Sequence, residues 1–285
     1  VCTRSACRRG SRAKRASRNI FKHDAAKLGH DARVRNFEES TLWQLSEYER
    51  VRMQTGGSGL ARLDRTTLLP TTLLAELRRL DAGGAGAGAD PLEVAAACMR
   101  HHEPALLLLQ YEELVWPVTL FPAQRLYHAP RDMAQAAPAA LATLKLLGTE
   151  PPGVRWPGHW MHERVAAAQL YRPLQPLLWS LALDGPRTQL LDEIAGTAAY
   201  RAVRSVDVDG VALGGALRSA ALRLRRETVS LREISRWPGM SVERASRLLN
   251  GLYLSSSLLA TRAHPAARAE PRGLRVPRRP AWMKR

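Results

Sequence analysis

The chain has 285 residues, 45% of them hydrophobic, which is enough for a sizeable core and excludes a disordered protein. Its formal charge of +17 sits at the two ends: net +9 over residues 1–36, −4 over 37–212 and +12 over 213–285. That map excludes a protein that wraps nucleic acid over its whole surface and points to local contact with a polyanion.

Only five of the 43 basic residues are Lys. The Arg fork suits phosphate, but an excess of Arg, Ala, Gly and Pro is also what GC-rich coding produces, so charge alone does not identify a binding tail. Cys2, Cys7 and Cys98 build neither a disulfide framework nor a metal site, which favours a reducing, cytoplasmic location. The most apolar window, 105–121, is interrupted by Gln110, Glu112 and Glu113, so no membrane span is expected.

Residues 1–52 read as a basic leader outside the native fold, either a transit peptide or an overextended gene start, and a chain beginning at Met53 is expected to fold. Within it, 36–52 forms a short, helix-prone segment carrying Trp43, Leu45 and Tyr48. The body, 53–212, contains two Gly-rich linkers, 55–59 and 81–90. Leu73, Leu74, Leu77 and Leu80 predict one face of a helix over 68–80. Asp90 and Pro91 mark the start of a second helix, 92–102.

The pattern then switches to strands. Ala105 to Tyr111 and Leu114 to Phe121 predict a β-hairpin, with Pro117 at an edge or bulge, and Arg125 to His128 adds a third strand. Helices are predicted over 133–147, 158–170, 173–183 and 189–195, with Gly185-Pro186 ending the third. A strand at 199–203 leads to a turn at 207–210.

The last structured region, 213–262, predicts a helix over 213–226 and a second opened by a capping box, Ser230 and Glu233. Pro238-Gly239 turns the chain and Ser241 caps a third helix, with Glu243 in its first turn. Its core face is Val242, Ala245, Leu248, Leu249, Leu252 and Tyr253, which leaves Glu243, Arg244, Ser246, Arg247 and Asn250 exposed. A strand over 258–261 precedes a Pro- and Arg-rich tail, 263–285, that offers no second wing strand.

This order resembles the winged-helix branch of helix-turn-helix domains. The resemblance implies that the third helix enters a DNA major groove, with Arg244 and Arg247 at guanine edges, Ser241 or Ser246 at phosphate, and Arg236 and Arg262 supplying backbone charge. Asn250 completes that face. The same surface serves in related modules as a protein-docking face, so the implied partner is DNA or a protein.

Other chemistry is discounted. His159 and His162, three apart on a predicted helix, could share a metal with Glu163 or Glu103, but neither zinc-protease motif is present and Trp156 and Trp160 suggest packing. Cys98, His101 and His102 share a helical turn without a ligand spacing. Gly84 to Ala89 satisfies a G-x-G-x-x-A pattern but follows a helix, where the dinucleotide fingerprint needs a strand. The reading is an α+β, mainly helical protein with a small hairpin sheet and a C-terminal winged-helix-like module, a bacterial, non-enzymatic regulator without a cofactor.

Overall fold

The computed structural model describes residues 42–54, 69–83, 89–133, 136–203 and 213–267. The Gly-rich 84–88 and 55–59 segments, the turn at 207–210 and most of the tail lie outside them. The fold is α+β, and no helix among the described residues is long and apolar enough to cross a membrane.

Strand β1 (Trp43–Gln44) and helix α1 (Leu45–Gln54) lead to α2 (Thr71–Gly83) and α3 (Pro91–His101). Asp90 caps α3 as its sequence implied, accepting the Leu92 N–H at 2.8 Å, and His102 ends the helix with a left-handed φ of 55°. The hairpin follows as β2 (Ala105–Tyr111) and β3 (Leu114–Phe121), then β4 (Leu126–His128).

Alternation sorts the hairpin's side chains onto two faces. Leu107, Leu109, Trp116, Val118 and Leu120 enter the main core, while Leu106, Leu108 and Val115 form a smaller cluster on the opposite face. Trp43, Leu45 and Tyr48 cover that second face, so the end of the expected leader belongs to the fold. β1 pairs with Leu114 and Val115, and β4 pairs with Thr119 to Phe121. Pro117 stands between these two pairings, opposite Leu108 on β2, at an open stretch of edge that suits its missing N–H.

Three helix expectations are corrected. Within 133–147, among the described residues, only α4 (Pro138–Leu141) is α-helical, and β5 (Lys145–Glu150) pairs antiparallel with the free edge of β2 instead. An open ladder on a buried strand outweighs the helix preference of the leucines there. Residues 158–170 form a loop with two short 3₁₀ turns, His162–Arg164 and Ala168–Leu170, entered through Gly158 at φ 86°. Residues 189–195 form no helix and contain a single turn at 192–194.

Strand β6 (Tyr171–Pro173) completes the first sheet, order β5-β2-β3-β4-β6 with β1 on β3, and runs into α5 (Leu174–Asp184). The C-terminal region runs β7 (Ala199–Ala202), α6 (Gly215–Leu224), β8 (Val229–Ser230), α7 (Leu231–Ile234), α8 (Val242–Leu254) and β9 (Leu258–Thr261). Its sheet has the order β8-β7-β9, both pairings antiparallel. The central strand, β7, therefore comes from before residue 213. One continuous core runs from Leu69 through Trp179 and Tyr200 to Leu254, so α8 packs into the same interior as the body.

Candidate functional site

The corner between α7 and α8 is built from local signals. Ser230 accepts the Glu233 N–H at 3.4 Å to start α7, and Gly239, at φ 73°, supplies the left-handed residue that the turn requires. Ser241 then accepts the Arg244 N–H at 3.1 Å and starts α8. Trp237 is buried beneath this corner, with the Arg223 guanidinium 4.4 Å from its ring centroid.

Of the residues expected at the contact face, four are exposed: Arg236, Ser241, Arg244 and Arg262. Arg244 folds back on the turn, donating from Nη1 to the Gly239 carbonyl at 2.7 Å. Val242, expected in the core, is 58% exposed.

The other three are corrected. Ser246 is buried and donates its hydroxyl to the Val242 carbonyl at 2.9 Å. Asn250 has 0% exposure; its Oδ1 accepts the Leu191 N–H at 3.0 Å and its Nδ2 donates to the Gln189 carbonyl at 2.9 Å. Arg247 donates from Nε to Glu243 at 3.0 Å and from Nη1 to the carbonyls of Leu183 at 2.6 Å and Gly185 at 2.9 Å. It caps the C-terminal end of α5, where cationic donors satisfy free carbonyls and the helix dipole. Arg247 and Asn250 turn inward because the end of α5 and the segment after it, 183–191, lie across the face of α8 that periodicity left open. Full exposure on α8 is confined to its cap and first turn, Ser241, Val242, Glu243 and Arg244, while Arg247 and Tyr253 are half-buried.

A second constellation was not foreseen. Arg187 donates from Nε to the Gln189 carbonyl at 3.1 Å and pairs with Asp90 at 2.9 Å, Glu93 at 2.6 Å and Asp192 at 3.4 Å. Glu93 is buried, and its Oε2 has no hydrogen-bond partner. Burial pushes its carboxyl up to about 7, against the opposing pull of Arg187. The 187–192 segment is thus held to α3 by Arg187 and to α8 by Asn250. Nothing in local spacing marks this, since Asp90 and Arg187 are 97 residues apart.

No protein-family model, curated protein or solved structure matches this chain. His159 and His162 do not share a helix face: His159 lies edge-on to Trp156 at 4.5 Å and stacks on Trp160 at 5.5 Å, its Nδ1 accepting the Met161 N–H. His162 is exposed in its 3₁₀ turn. His101 pairs with Glu76 at 2.6 Å, and burial pushes the Cys98 thiol up to about 12, far from a ligating thiolate. Among the described residues no group of three His, Cys, Asp or Glu could hold a metal ion.

Proposed function

We propose that this chain is a non-enzymatic regulatory adaptor, a mainly helical α+β protein acting in the bacterial cytoplasm, whose C-terminal winged-helix-like module docks a protein partner. The order helix, strand, short helix, third helix, strand supports the winged-helix reading. β9 finds its antiparallel partner in β7, which sits at the centre of the small sheet.

One observation favours protein over DNA: the face of α8 that would read a groove is used inside the molecule. A groove-reading helix must present several side chains along its length. Here Arg247 and Asn250 are bonded to the 183–191 segment, and the exposed Glu243 carboxylate accepts from Arg247, which leaves a negative charge on the face that phosphate would approach. What remains outward is a compact corner, Arg236, Ser241, Val242 and Arg244, suited to a partner's surface.

DNA contact is the second reading, favoured by the net +12 over 213–285. Fluorescence anisotropy with a labelled duplex over a salt series separates the two. The adaptor reading expects duplex affinity and its salt slope to be unchanged in the Arg236→Ala/Arg244→Ala variant. A slope reduced by about two, with weaker binding, overturns it, since each phosphate contact contributes about 0.9 to the slope.

A further inference from the structure

We infer that the outer edge of β9 is a docking site for an extended, acidic segment of a partner protein, an inference that rests on the adaptor reading and adds a second contact to its exposed corner. The backbone geometry is specific. The Val203 N–H donates to the Ser257 carbonyl at 2.9 Å, and the register continues as Ala202 with Leu258, Arg201 with Leu259, Tyr200 with Ala260 and Ala199 with Thr261. In an antiparallel ladder hydrogen-bonded pairs alternate. Residues 257, 259 and 261 therefore turn their N–H and C=O groups toward β7, and Leu258 and Ala260 turn theirs outward, where no described strand pairs with them.

The other edges are protected in ways that discourage pairing. β5 carries Lys145 and Glu150 and meets β2 through a register shift between Leu108 and Leu109. β6 is three residues long and contains Arg172 and Pro173. β8 is two residues long and lies against the 265–267 turn. β9, Leu-Leu-Ala-Thr, has no charge, no proline and no bulge, and Leu259 is 58% exposed. It is an edge left open to strand addition, in which main-chain bonds give affinity and alternate side chains give selectivity.

Charge selects the occupant. Arg201 lies opposite Leu259 in register and Arg262 follows the strand, while Ser255 to Ala267 contains no Asp or Glu. A segment with apolar residues at alternate positions and Asp or Glu at its flanks complements this edge. A second copy would set Arg262 and a +17 chain against their equals.

Selection from a displayed library of random ten-residue peptides on the full chain, followed by anisotropy with the enriched peptides, tests the inference. The expected winners alternate apolar residues and carry acidic flanks. Ala260→Pro, which deletes an outward N–H without removing a donor to β7, weakens them about tenfold, as does Arg262→Glu, a surface change that leaves the ladder intact. Unfolding curves check that both variants fold, and Arg236→Ala/Arg244→Ala leaves these peptides bound. Winners that bind Ala260→Pro and Arg262→Glu normally, yet are lost in Arg236→Ala/Arg244→Ala, overturn the edge site while the adaptor reading stands. No enriched peptide, together with duplex binding lost in Arg244→Ala, overturns both. Slow hydrogen exchange at the Ala260 amide in the monomeric chain, or a dimer abolished by Ala260→Pro, also overturns it, because the chain itself or a second copy then fills the edge.

Discussion

Gly251 of α8 lies directly against the indole of Trp179 on α5, so close that a Cβ at 251 would overlap ring atoms Cζ3 and Cε3. This contact lets α5 cross α8 at close range and bring the 183–191 carbonyls within reach of Arg247 and Asn250. Gly251→Ala would gain about 1 kcal/mol of helix propensity, but overpacking against a rigid ring costs about 1–3 kcal/mol or more. The expected net is a loss of stability, read as a lower urea midpoint; an unchanged or higher midpoint would refute the close packing.

Asn250→Ala should cost more than a surface Asn would. It leaves the Leu191 N–H without a partner in a buried setting, at about 1–3 kcal/mol, while the Gln189 carbonyl loses one donor and keeps Arg187 Nε. Chemical denaturation measures the total, and hydrogen exchange should show the Leu191 amide losing protection first. A variant as stable as the wild type would return Asn250 to the exposed face.

Glu93 makes a pH prediction. Its folded-state value, about 7, lies above the 4.5 of an ordinary Glu, so between those values the folded protein holds the extra proton. Stability contributed by this group is therefore fully present below about pH 4.5, falls as pH rises and levels off above about 7. Relative to Glu93→Gln, the wild type should lose up to about 3 kcal/mol across that window. Denaturation of both proteins at pH 5 and pH 8 checks the sign, and a difference that grows in the other direction would show that Arg187 keeps the carboxyl ionised.

A chain beginning at Met53 should be less stable than the full one, contrary to what composition suggests. It lacks Trp43, Leu45 and Tyr48, which cover Leu106, Leu108 and Val115. Partial exposure of those three side chains corresponds to about 2–5 kcal/mol. Thermal unfolding of the two chains compares them directly, and coincident curves would mean that this cover contributes nothing.

Local chemistry was legible in the sequence, because it depends on neighbours within a few residues. Asp90, Ser230 and Ser241 cap where their spacing says, the 105–121 hairpin has its expected bounds, and Leu258 to Thr261 is a strand. Hydrophobic period placed Ala245, Leu248, Leu249 and Leu252 in the core. What period cannot supply is whether a polar face meets water or another element. Only the packing of the 183–191 segment against α8 decided that Arg247 and Asn250 turn inward, and only long-range pairing made 145–150 a strand and β7 the centre of the C-terminal sheet. A helix carries one face for its own core, but the occupant of its other face is settled by chain segments up to 64 residues away, through carbonyls that no side-chain pattern records.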